Sequence, residues 1–266
     1  MSMLDLPYDE IVVTGCSFSC GMEMNDNLLP KFSSEDERRI AVWKWGMKNL
    51  KLQSKKIEDL ENISNSHWSK LERQNSWPSL LQDKTNIPVQ NLSTPGASIG
   101  HSLVAYAEFI KNVSKHKKIL TIHQLPGMGR MHIRFDEAHG RIRVLPRHAD
   151  RNNLGNSTFG FAKKHFKEKI DRVHGIYKHR VMSKGYIEKH YLKVLNKLDS
   201  LSRKKHIKNF YIFPEATSIS DHFKCKILLK DFKDFRSNYP EGVLGHPIGK
   251  PFNTDLCDII ISTCLL

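Results

Sequence analysis

Three short stretches carry residue types suited to acyl transfer. In IVVTGCSFSCGMEMND, residues 11 to 26, a β-branched run meets a glycine and Ser17 follows two positions later. A serine just past a buried strand, at a tight turn into a helix, presents its hydroxyl where backbone amides also point. Ser17 is then either a nucleophile held at a strand end or the N-cap of the next helix. In NLSTPGAS, 91 to 98, the Pro95-Gly96 pair makes a turn whose glycine amide no side chain covers. That amide either donates to a developing oxyanion or belongs to an ordinary turn. In GHPIGKPFN, 245 to 253, a histidine lies in a Gly-Pro loop ahead of a C-terminal helix. His246 is a surface residue unless that loop folds back beside Ser17, where it becomes a general base.

The surrounding elements decide whether these stretches meet. EIVVTG (10–15), IPVQNL (87–92), KILTIHQL (118–125) and IKNFYIF (207–213) read as buried strands. Between the first two lies a polar helical insertion, 34–76, opened by a Ser34/Glu37 capping box and carrying Ile40, Trp43, Met47 and Leu50 at helical spacing. Trp43 and Trp45 are expected to pack against the body. SIGHSLVAYAEFIKNV (98–113) reads as a helix with serine at its start, YIEKHYLKVLNKLDSLSRKKH as another, and DLCDIIISTCLL as a C-terminal one. The stretch from 214 to about 236 reads as helix or loop. Residues 126–185 show no clean period, and 126–205 is treated as a basic insertion. Strands separated by helices predict a three-layer α/β/α domain around a parallel sheet, spanning 1–266 as one unit. Sites in such sheets gather beyond the carboxyl ends of the strands, where all three stretches fall.

Composition narrows the partners. At 39% hydrophobic and 26% charged, with no apolar run near the roughly 18 residues of a membrane span, the chain is expected to have no membrane partner. MSMLDLPYDE has no basic region before an apolar stretch and does not read as a secretory signal, so the expected setting is cytoplasmic, or a particle built in a cytoplasm. Cys16, Cys20, Cys225, Cys257 and Cys264 lack disulfide or zinc spacing and read as thiols. The 14 histidines form no HExxH-like pair, so no metal site is expected. The formal charge of +14 is uneven: residues 161–206 hold 14 Lys and Arg against 4 Asp and Glu. That surface is either a solvated face or a site for a polyanion or acidic glycan.

Together the motifs resemble the SGNH (GDSL-type) hydrolase family, in particular its phage-encoded branch with a GCSFTxG-like block. VTGCSFSCGME is similar to block I, SWPSLLQDKTNIPVQNLSTPGAS to the approach to block II and the block itself, ILTIHQLPGMGR to block III and GHPIGK to block V. The resemblance implies an SGNH/flavodoxin-like fold, no cofactor, Ser17 as nucleophile and His246 as general base. It also implies an oxyanion hole from the amides of Ser17 and Gly96, with Gln124 as the nearest amide side chain to the asparagine the family uses. The family's orienting aspartate two or three residues before the histidine is replaced here by Leu244 and Val243, with Glu241 and Asp221 as substitutes that spacing does not predict. Three functions follow: an esterase or deacetylase acting on an acylated sugar or small ester, a non-catalytic structural or adhesion component meeting other virion proteins in a phage particle, and a nucleic-acid binder using the basic face. The third lacks any recognition motif, and Phe159, Phe161, Phe166 and Tyr177 fall among the charges without a stacking pattern.

Overall fold

The computed structural model describes residues 7–16, 18–22, 25–50, 57–94, 97–114, 116–127, 131–136, 140–144, 184–215, 219–220, 223, 225–242 and 246–265. Ser17, Gly96, Asp221, Val243, Leu244 and most of the basic middle, including Phe159, Phe161, Phe166 and Tyr177, lie outside the described residues.

The apolar runs become a five-stranded parallel sheet. Its strands are β1 (Glu10–Thr14), β2 (Val89–Asn91), β3 (Ile119–Gln124), β6 (Lys208–Ile212) and β7 (Lys226–Leu229), in the spatial order β2-β1-β3-β6-β7. The chain starts in mid-sheet, steps to one edge and then reverses, which leaves a crevice between the carboxyl ends of β1 and β3. Side chains alternate between two cores. Ile11, Val13, Leu120, Ile122, Phe210 and Ile212 pack under α3 (Trp77–Thr85) and α7 (Lys250–Ile260), with Trp77, Leu81, Phe252 and Leu256. Val12, Ile119 and Tyr211 pack under α4 (Ile99–Lys111) and α5 (Lys184–Arg203), with Ile99, Tyr106, Tyr191 and Leu195. The result is the expected three-layer α/β/α arrangement. α7 passes into a π-helical turn, Ile261–Leu265.

Three local readings are corrected. The stretch from 214 to about 236 contains the expected helix, the short α6 (Phe232–Arg236), but also a strand, β7, a four-residue edge strand half-buried along most of its length that lacks the long apolar run of its neighbours. Within the stretch without clean period, β4 (Met131–Asp136) and β5 (Gly140–Val144) pair antiparallel as a separate hairpin. The third correction concerns α1 (Glu35–Asn49), which packs antiparallel on α2 (Ile57–Gln74): Arg38 meets Glu72, and Trp45 lies edge-on to Trp68 at 4.9 Å. The face turned inward carries Ala41, Val42 and Gly46, while Ile40 and Met47 face solvent. Gly46 is required there, because a Cβ would lie 2.0 Å from the Ser64 hydroxyl oxygen. Small residues thus let the two helices approach, and the larger apolar stripe is left outside. Ser34 does cap α1, accepting from the Glu37 N–H at 3.2 Å, but the Glu37 carboxylate returns to the N–H and hydroxyl of Ser33.

The α4/α5 side of the sheet contains a buried polar cluster. The Tyr106 hydroxyl is 3.1 Å from Thr121 Oγ1 and 2.7 Å from Ser202 Oγ, and His123 Nδ1 is 2.8 Å from Thr14 Oγ1. The His123 ring is fully buried between Tyr106, edge-on at 4.9 Å, and Tyr211, stacked at 5.0 Å. Burial pushes its pKa down to about 3 against an ordinary 6.5, only partly opposed by the Asn209 side chain. Between those values the unfolded chain holds a proton that the native state refuses. Stability therefore falls as pH is lowered through this window, by up to about 1.4 kcal/mol per pH unit from this site. Urea midpoints measured between pH 7 and pH 4.5 should show that loss, and His123→Phe, which keeps a ring but cannot titrate, should flatten it.

Candidate functional site

The site builds up from the end of β1. Gly15 follows the buried Thr14, and a Cβ on it would lie 2.5 Å from Ser19 Oγ and 3.2 Å from Gln124 Cβ and its carbonyl oxygen. The chain then turns tightly: Cys20 N–H donates to the Cys16 carbonyl at 3.3 Å and Gly21 N–H to the Phe18 carbonyl at 3.2 Å. Gly21 has φ +75° and leaves only 2.3 Å between a hypothetical Cβ and the Glu72 carbonyl oxygen, so a side chain is excluded both by conformation and by space.

Gln124, the last residue of β3 and 2% exposed, closes this turn from below. Its Oε1 accepts from the Ser19 hydroxyl and from the Trp77 indole N–H, the latter at 3.4 Å. Its Nε2 is buried and has no hydrogen-bond partner among the described residues. Gln124 therefore presents two amide hydrogens, at the carboxyl end of the central strands, that are committed to nothing described.

The loop after β2 is tied to the same turn. Leu92 N–H donates to the Val13 carbonyl at 2.8 Å, Thr94 N–H to the Gly15 carbonyl at 3.4 Å and Ala97 N–H to the Thr94 carbonyl at 3.0 Å. Asn91 Nδ2 holds the Ser19 carbonyl at 2.7 Å. Asn91 and Thr94 are thereby fixed beside Ser19 and Gly15. Ser98 then caps α4, accepting from the His101 N–H at 3.3 Å.

His246 reaches the site from the far end of the chain. It is 6% exposed, and its ring lies 4.6 Å from the ring of Phe18, a described residue of the turn after β1. Its loop is closed by main-chain bonds, Gly242 N–H to the His246 carbonyl and Ile248 N–H to the Pro240 carbonyl, both 2.8 Å, and by a bridge between Glu241 and Pro247. Phe18 also meets Phe232 edge-on at 5.0 Å and lies under the Arg236 guanidinium at 5.1 Å. Glu241, one of the two acids considered for orienting the histidine, pairs with Arg236 at 3.4 Å.

The α1–α2 pair holds this assembly from the side. Arg38 bonds both oxygens of Asp26 at 2.8 Å and Glu72 at 2.7 Å, with the two carboxylates 1% and 7% exposed. Trp68 Nε1 adds a bond to Glu72, Arg73 reaches the Ser93 carbonyl at 3.2 Å, and Asn75 joins Asn25 at 3.0 Å and accepts from Asn253 of α7 at 2.7 Å. Reading the sequence did not single out Ser19, Asn91 or Arg38. The Trp77-Pro78 pair at the start of α3 is the one visible signal for the indole donor, since proline suits the first turn of a helix.

Among the described residues no group of three or more His, Cys, Asp and Glu side chains gathers as metal ligands, and the five cysteines are free thiols. No described helix is long and apolar enough to cross a membrane. Neither a scan of protein-family models nor a search of curated proteins finds a match. Among solved structures, a member of the lipolytic protein G-D-S-L family from Veillonella parvula DSM 2008 is similar, with a TM-score of 0.45 and 9% identity over 96% of this chain and 97% of that one.

The close packing at Gly15 is directly testable. Gly15→Ala should cost about 1–3 kcal/mol by overpacking against Ser19 and Gln124, read as a lower urea midpoint at unchanged slope.

Proposed function

We propose that the protein is an SGNH-type serine hydrolase that cleaves an acyl ester, an acylated sugar or a similar small ester being the substrate class. The observation that carries this reading is the contact between the His246 and Phe18 rings, which brings a base from the C-terminal loop to the residue after Ser17. In the proposed reaction His246 takes the Ser17 proton as the serine oxygen bonds to the ester carbonyl carbon. The oxyanion accepts from the amides of Ser17 and Gly96 and from Gln124 Nε2, whose lack of another described partner suits that task. Collapse expels the alcohol with a proton from His246. Water, deprotonated by the same imidazole, then releases the acid and restores the serine.

Val243 and Leu244, where the family carries its acid, favour a second reading: a non-catalytic SGNH-like structural or adhesion component, as in a phage particle. In the first reading the main-chain bonds that close the His246 loop do part of the orienting work of the missing carboxylate. The basic stretch 161–206 then serves an acidic glycan. Its described part exposes Lys189, Lys193 and Lys197 along one side of α5.

A fluorophosphonate probe separates the two readings. Intact mass should show one label on the parent protein and none on Ser17→Ala or His246→Ala, and Gln124→Met should lower ester turnover about 10²-fold. An unlabelled parent with a native circular dichroism spectrum would sink the hydrolase and leave the binding component.

A further inference from the structure

Among the described residues, α1 carries more exposed large apolar side chains than any other element. Of the four large apolar side chains that stand exposed among the described residues, Ile40 and Met47 belong to α1, at 47% and 37%. A third, Leu28 at 56%, ends the short turn Asp26–Leu28 that Arg38 of α1 grips. Ile40, the half-buried Trp43 and Met47 follow one another at i, i+3 and i+7 and so form a single stripe. The stripe is not surplus core, because α1 turns its opposite side onto α2. The Trp43 Nε1 is buried without a hydrogen-bond partner among the described residues.

The charges on the same helix discriminate between partners for the stripe. The first turn is acidic, with Glu35, Asp36 and Glu37, and the last is basic, with Lys48 one turn beyond Lys44. Asp36, held by Arg39 at 3.9 Å, is 80% exposed. A second copy of α1 laid antiparallel sets Ile40 against Met47 about the two Trp43 side chains. It also brings each acidic end to the other's basic end, with the helix dipoles opposed. A parallel copy would set acid on acid, and a polyanion would meet three carboxyl groups at one end of the stripe. We propose that α1 is the dimerisation surface of this protein, an isologous contact in which two copies pack their Ile40–Trp43–Met47 stripes antiparallel. The proposal is independent of the hydrolase reading. A contact of one helix from each copy falls below the roughly 800 Å² per partner of a standard interface, so a reversible dimer of micromolar affinity is expected.

Sedimentation of the full chain from about 1 to 200 µM tests this. The mass should rise from 30.7 kDa towards twice that value, and Ile40→Glu/Met47→Glu, at two exposed positions, should stay monomeric with an unchanged circular dichroism spectrum. Lys48→Glu should weaken the dimer about tenfold or more, and Asp36→Lys/Lys48→Glu should restore it. Three results would overturn the proposal: a monomer throughout, including one that binds lipid vesicles or a polyanion through the stripe; a dimer that survives Ile40→Glu/Met47→Glu; and a dimer that the double charge reversal fails to recover.

Discussion

One carbonyl oxygen, Oε1 of Gln124, sits between donors from two distant parts of the chain: the Ser19 hydroxyl in the turn after β1 and the Trp77 indole at the start of α3. Buried as it is, that oxygen would cost about 1–3 kcal/mol if left unpaired, more than a single neutral hydrogen bond contributes net. The bonds fix which way the amide faces, since the oxygen must point to its two donors and the nitrogen must point away. Everything at the carboxyl end of β1 follows from this orientation. Gly15 has to lack a side chain because Ser19 and Gln124 meet over it, and Asn91 can then hold the Ser19 carbonyl from the β2 side.

The two faces of the sheet divide the work. Under α3 and α7 the core is almost wholly apolar and ends at Gln124, so the polar atoms on that face are concentrated at the crevice. Under α4 and α5 the face holds Thr121, His123 and two tyrosines deep in the structure, joined by hydrogen bonds and ring contacts. Thr14 contributes its hydroxyl to this second network from the residue just before Gly15. The turn is thus anchored on both sides of the sheet, by packing and hydrogen bonding that neither helix layer supplies alone.

The strands with long β-branched runs were legible because burial on both faces makes them mostly apolar, as in IVV of β1 and, around the single hydroxyl of Thr121, ILTI of β3. Their helices followed from caps such as Ser34 and Ser98. β7 was not legible, since an edge strand of four residues has too few buried positions to show a pattern. The β4–β5 hairpin did carry alternation, MHIRF against RIRV, but basic residues on alternate positions hid it inside a stretch that reads as merely charged. On α1 the period was right and the face was wrong: bulk apolar residues mark a stripe, but close helix packing selects small ones, Ala41 and Gly46. At the site, residue types pointed to Ser17, Gly96 and His246, whereas Ser19, Asn91 and Trp77 act through contacts between distant segments that no local pattern encodes.

Asp26, Arg38 and Glu72 are taken almost entirely out of water together. Considered as heritable variation, such a triad is a single character spread over three codons. Losing any one member strands the remaining charges in a place where water cannot reach them, whereas replacing all three by well-fitting apolar residues can be close to neutral. Sequence drift at these positions is therefore expected to be concerted, with all three ionised or none. The contact between the helical pair and the turn after β1 is then inherited whole or exchanged whole.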